Sequence, residues 1–253
     1  MNCMADFQSR ENRAFAYEIK FLIPVEQAPE LRAWARARLQ PDPNTASGVG
    51  DVYRITSLYY DTNGFDVFHR RGSFGRSKYR VRRYDASERV FLERKLRSDS
   101  IVTKRRTVVD IDELRRLRDF EPDRSWAGSW FHRRMLARAM NPSCQISYSR
   151  TALVSPTGAG TIRLTLDEDL RGWRVSHPEY HPLAGGKLLL KDHAILELKF
   201  RLAMPAIFQQ MLEEFRLHSE PVSKYRLAVT GLGCVPQSVP PETAFPQAEA
   251  VCV

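Results

Sequence analysis

Charged side chains set two residues apart, basic in each case at one or more positions, recur in four stretches of this chain that otherwise read as strands. Lys78, Arg80 and Arg82 stand in KYRVRR, and Lys95 follows Glu93 in FLERK. Lys104 and Arg106 stand in VTKRR, and Lys199 follows Glu197 in ILELKF. Residues i and i+2 of a strand point to the same side of a sheet, so the charges share one face and their apolar neighbours share the other. A single such strand reads as an ordinary solvated face. Repetition over several strands points to an enclosed cationic surface. A closed β-barrel with a basic lumen is one fold that uses this pattern, and such a lumen would hold a polyanion.

The composition agrees with an anionic partner. The 253 residues carry 39 Lys and Arg against 30 Asp and Glu, a formal net charge of +9. That balance suits nucleic acid, an anionic membrane or a phosphate-rich small molecule. Hydrophobic residues make up 43%, enough for a substantial core. Cys3, Cys144, Cys234 and Cys252 are far apart and form no C-x-x-C, which argues against a disulfide framework or zinc site and suits a reducing cytoplasmic setting. No apolar run reaches the roughly 20 residues of a membrane helix. The N-terminus lacks the apolar core of a signal peptide.

Strands are expected at 15–23, 53–62, 76–85, 88–97, 100–110, 144–155, 160–169, 171–176 and 193–200. Helices are expected at 26–39, 111–119, 125–140, 205–217 and 223–231, with 63–72 a short helical or turn connection. Residues 41–51 and 177–186 read as loops by their Pro, Gly and Asn content. The termini, 1–12 and 236–253, read as flexible, leaving one domain over 13–233. The expected class is α+β: a closed antiparallel eight-stranded β-barrel with flanking helices.

The ordered series EIKF, SLYYDT, KYRVRRY, ERK, TKRR, YSR, RLTLD, ELKF and SKYR resembles the triphosphate tunnel metalloenzyme (CYTH-like) superfamily. Within it the chain is similar to the polyphosphate polymerase (VTC-type) domain. The resemblance implies an antiparallel tunnel that binds a triphosphate with a divalent metal. It assigns catalytic roles to Lys20, Arg80, Arg82, Arg150, Arg163 and Lys224. It assigns phosphate contacts to Lys78, Lys95, Lys104, Tyr148, Lys199 and Ser223, and a Mn²⁺ or Mg²⁺ ligand role to Glu197. Glu18, Glu93, Asp167 and Glu197 would offset the repulsion among these cations.

Related triphosphatases and cyclases open with E-x-E-x-K, whereas this chain reads Ala16-Tyr17-Glu18-Ile19-Lys20. The missing acid favours one metal over two, and transfer to a phosphate acceptor over hydrolysis. The function implied is an ATP-dependent polyphosphate polymerase whose partners are ATP and inorganic polyphosphate, with no nucleic acid expected. The alternatives are a metal-dependent triphosphatase and a non-catalytic polyphosphate-binding module.

Outside this set, Asp61 reads as a strand-end turn-former and Trp126 and Trp130 as core anchors. Glu179 and its neighbours His177 and His181 read as a loop. Arg115, Arg116 and Arg118 read as a charged helix face.

Overall fold

A computed structural model describes residues 11–13, 16–43, 50–74, 77–98 and 101–235. Of the termini expected to be flexible, 1–10 and 236–253 lie outside the described residues, as do 44–49 of the first loop. Glu11 and Asn12 were expected in the flexible N-terminus but belong to a short strand, β1 (Glu11–Arg13), held by backbone pairing.

The remaining strands are β2 (Ala16–Pro24), β3 (Gln40–Pro41), β4 (Val52–Thr62), β5 (Ser77–Tyr84) and β6 (Arg89–Ser98). They continue with β7 (Ile101–Asp110), β8 (Met140–Ser155), β9 (Ile162–Arg174), β10 (Lys187–Leu188) and β11 (His193–Arg201). The α-helices are α1 (Ala28–Arg36), α2 (Asp66–His69), α3 (Ser129–Ala137), α4 (Ala206–Glu214) and α5 (Lys224–Gly231). Short 3₁₀ turns cover Gly72–Phe74 and Ile111–Arg118. The helix expected at 111–119 is thus the tighter kind, closed at its start by a capping box between Asp110 and Glu113.

All eleven strands belong to one antiparallel sheet, ordered β1-β7-β6-β5-β4-β8-β9-β11-β2, with β3 on β8 and β10 on β9. The closed eight-stranded barrel is corrected here: the hydrogen-bonded path does not return on itself. The reason lies in the N-terminal stretch, which divides its pairing. Glu11–Arg13 bonds β7 and Ala16–Pro24 bonds β11, each along one edge, and no backbone pairing among the described residues joins β1 to β2. Arg13 and Ala16 are three residues apart and at most about 11 Å distant, so the two ends of the sheet meet. The sheet is curled around an interior without a closed ladder.

The two strands expected at 160–169 and 171–176 are one. Asp169 takes a left-handed conformation (φ 49°), and opposite it the pairing of β8 with β9 slips between Ser147 and Ser149. This irregularity bends the strand without ending it.

Alternation sorts the side chains. The outward face of β2, β9 and β11 carries Phe21, Ile23, Leu164, Leu166, Leu196 and Leu198. These pack with Leu31, Trp34 and Ala35 of α1 and with Phe208 and Met211 of α4. The i, i+3, i+4 spacing on α1 makes the apolar stripe that covers this wall. Trp130, Phe131 and Met135 of α3 belong with Leu58, Val81 and Leu92 to a second core. Helix α5 packs on β8 and β9, and its Tyr225 ring stacks on Tyr59 at 5.2 Å.

Candidate functional site

Cross-strand register aligns the inward residues into rows. Lys104, Lys95 and Lys78 face one another across β7, β6 and β5. The next row holds Arg106, Glu93, Arg80 and Tyr59, and the row beyond holds Phe91, Arg82 and Ser57. On the other wall, Lys199 lies between Glu18 and Arg163, and Glu197 lies between Lys20 and Thr165. Arg150 lies opposite Asp167 and Tyr53. Strand alternation thus turns the basic residues named from sequence toward one interior.

Three anionic centres hold most of these cations. Glu93, only 2% exposed, lies 2.7 Å from Arg80 Nε, 3.1 Å from Arg106 Nε and 3.3 Å from Lys104 Nζ. Asp167 accepts a two-pronged pair from Arg150 at 2.6 and 2.7 Å, and Lys224 Nζ approaches its Oδ2 to 2.5 Å. Glu18 and Glu197 share Lys20, at 3.0 and 3.4 Å, and Lys199, at 3.5 and 2.8 Å. Glu18 also reaches Lys95 on β6 at 3.0 Å, so β2 contacts the third strand from the other end of the sheet.

The electrostatics follow. Burial opposes ionisation of Asp167, but Arg150 and then Lys224 outweigh it and keep the carboxyl below its ordinary value. Burial also opposes the charge on Glu197, yet Lys199 and Lys20 hold it well down. Glu18 is lowered to about 2, where burial and Glu197 are overcome by Lys199, Lys20 and Lys95.

Two cations differ from the rest. Arg82 is buried and hydrogen-bonds to neutral oxygens, Ser57 Oγ and Tyr148 Oη, both at 3.4 Å, with Tyr84 beside it, while Glu93 acts on it from beyond ion-pair distance. Lys78 donates to Ser223 Oγ at 3.0 Å. Burial first, then the charges of Lys20, Lys95 and Arg80, pushes the Lys78 ammonium down to about 7. Among the described side chains no carboxylate lies in ion-pair distance of either. Ser223 also caps α5, accepting the Arg226 N–H, so the helix's positive end meets the interior beside Lys224. Lys224 and Arg150 lie over the Tyr148 ring, 4.9 and 5.4 Å from its centre.

Arg163 is drawn toward one mouth. Its Nε lies 2.9 Å from the buried Asp42 in the loop after β3, and its Nη2 donates to Tyr53 at 3.3 Å. Glu197 was read as the metal ligand. Among the described residues no group of three or more Asp, Glu, His or Cys side chains is placed to cage a metal. The neighbouring carboxylates of Glu18 and Glu197 fit a hard divalent cation only where phosphate and water complete its shell.

A family model described as the VTC domain matches residues 15–232. The chain belongs to the VTC domain family. Among solved structures, this VTC domain is similar to a Hippeastrum protein described as an adenylyl cyclase candidate with a dominant triphosphatase activity. The match has 16% identity and a TM-score of 0.51, covering 86% of this chain and 96% of that one. It is also similar to an adenylate cyclase candidate from Bacillus halodurans, at 14% identity and a TM-score of 0.50, covering 83% and 94%. These likenesses show a shared fold. No curated protein matches the chain.

Four partners were not singled out as site residues from sequence: Arg106, Tyr59, Tyr84 and Asp42. Arg106 had a legible signal, its i+2 spacing from Lys104. Tyr59 and Tyr84 accept from Arg80 at 3.2 Å and from Arg106 at 3.1 Å. Asp42 lies in a loop and gives no periodic signal. Elsewhere, Asp61 accepts the N–H groups of Thr62, Val67 and Phe68 and the Tyr225 hydroxyl, fixing α2 and α5. Glu179 is engaged by Arg118, and Arg116 by Asp123.

Proposed function

We propose that this chain is an ATP-dependent polyphosphate polymerase. A terminal polyphosphate oxygen attacks the γ-phosphorus of ATP, the bond to the β–γ bridging oxygen breaks, and ADP leaves. One observation carries the reading: Lys78 and Arg82 face the interior without a carboxylate partner among the described side chains. A cation taken out of water without a counter-ion is costly, and a phosphoryl oxygen supplies what is missing.

The acceptor phosphate is already ionised, so no general base is required. Catalysis then consists of positioning and charge stabilisation. Arg80, Arg82, Arg150 and Arg163 offer planar donors to phosphoryl oxygens. Lys78, Lys95, Lys104, Lys199 and Lys224 offer point charges, and Tyr148 and Ser223 offer hydroxyls. Lys20 orients the γ-phosphate or the acceptor. Glu197, with Glu18 beside it, would hold a Mn²⁺ or Mg²⁺, which would supply positive charge against the phosphates.

The test is to incubate pure protein with ATP and Mn²⁺, resolve the product on a polyphosphate gel and assay ADP. Polymer with matching ADP is expected. Arg80→Ala and Lys224→Ala should abolish polymer while circular dichroism stays native, and retained synthesis in either would remove the proposed site. Orthophosphate without polymer would replace this reading with a triphosphatase, the activity named for the Hippeastrum protein.

A further inference from the structure

Glu93 stands in the middle of the wall that the phosphates would use, and it competes with them. Its carboxylate comes from β6 and reaches cations on both neighbouring strands, Arg80 on β5 and Lys104 and Arg106 on β7. The two oxygens are held differently. Oε2 accepts a well-formed 2.7 Å hydrogen bond from Arg80 Nε. Oε1 lies 3.1 Å from Arg106 and 3.3 Å from Lys104, yet neither Oε1 nor Arg106 Nε makes an aligned hydrogen bond, although both atoms are buried. Half of this cluster is therefore held by charge alone.

Both guanidiniums meet Glu93 through Nε. That leaves their outer nitrogens for other acceptors, and Tyr59 and Tyr84 each take one. Burial works against the charge on Glu93, and Arg80, Arg82, Lys104 and Arg106 together hold it ionised far below its usual range.

We infer that Glu93 is a built-in stand-in for phosphate that sets how tightly the wall grips a polyphosphate chain. This rests on the proposed phosphate-binding role of the interior. When the interior is empty, Glu93 supplies the counter-charge that three partly buried cations require. When a chain arrives, the same carboxylate repels it and keeps two of its cation contacts imperfect. Passage through a charged bore requires sites that attract the ion yet release it, and one fixed anion among the cations moderates the grip. Glu93 is thus a positioning residue that acts through Arg80, Lys104 and Arg106 on affinity and product release.

A merely structural carboxylate predicts the opposite sign. Removing it would disorder the three cations and weaken binding. The experiment is calorimetric titration of inorganic tripolyphosphate, with chelator present and no turnover, into wild type, Glu93→Gln and Glu93→Gln/Arg106→Gln. Glu93→Gln should bind at least about tenfold tighter, with a salt slope steeper by about one counter-ion. The double variant, restored in net charge, should return toward wild type. In steady-state assays KM and kcat should fall together for Glu93→Gln, as product leaves more slowly. Unchanged or weaker binding by both variants, with wild type binding normally, overturns this role and leaves the phosphate reading standing. Failure of wild type to bind overturns both.

Discussion

The depressed ammonium of Lys78 gives the sharpest test of the interior's electrostatics. At about 7 it is half-deprotonated near neutrality, whereas a free lysine holds its proton to 10.5. A phosphoryl oxygen beside it would restore the charged form, so binding should take up a proton. Each pH unit above 7 then costs about 1.4 kcal/mol. From about pH 6 to about pH 9 the penalty reaches about 2.7 kcal/mol, a hundredfold loss of affinity. The ligand's own ionisation works against this trend but is common to every variant.

The assay is tripolyphosphate titration at several pH values, in two buffers of different ionisation enthalpy, for wild type, Lys78→Gln and Lys78→Arg. Wild type should show nearly one more proton taken up at about pH 8 than either variant. Its pH slope should exceed theirs by the same amount. Empty protein should show the reverse sense. Its unfolded form keeps the proton that the folded form sheds, so stability rises between about 7 and 10.5 through this group. Equal proton uptake in wild type and Lys78→Gln would refute the reasoning.

The other ion pairs make separate predictions. Asp167→Asn leaves Arg150 and Lys224 without a buried counter-charge and should cost about 3–5 kcal/mol, lowering Tm by roughly 6–20 °C. Tripolyphosphate should recover part of that loss, and an unshifted Tm would contradict the pairing. Glu18, held at about 2 against an ordinary 4.5, stabilises the fold above 4.5 and loses that contribution as pH falls toward 2. With a quarter of its side chain exposed, the contribution should be about 1–2 kcal/mol after discounting for solvent. Thermal melts of Glu18→Gln should therefore fall less steeply over that acid range than those of wild type.

Much of this fold is legible in the sequence because strand alternation is a short-range signal. The strands expected at 76–85, 88–97 and 100–110 fall within two residues of β5, β6 and β7. The facing of Lys78, Arg80 and Arg82 follows directly from i, i+2 geometry. The pairing partners are not local. Arg163 finds Asp42 only because β3 lies along β8, next to β9. The division of the N-terminal stretch between β7 and β11 is likewise a long-range outcome, which a barrel drawn from strand counting leaves out. Asp169 was legible as a break in pattern, but only β8 opposite it shows that the strand continues. That Glu18 and Glu197 share Lys20 and Lys199 follows from the β2–β11 register and is likewise not local.

The unladdered junction between the two ends of the sheet has a mechanical consequence. Elsewhere the wall can widen only by breaking rows of backbone hydrogen bonds. There the chain itself crosses from β1 to β2, and Glu18 on β2 reaches Lys95 on β6 through a salt bridge between partly exposed side chains. Such a link stretches, exchanges partners and weakens with ionic strength at little energetic cost. The wall is therefore stiff where its strands are laddered and more compliant along this one line, held by a single chain crossing and side-chain charge.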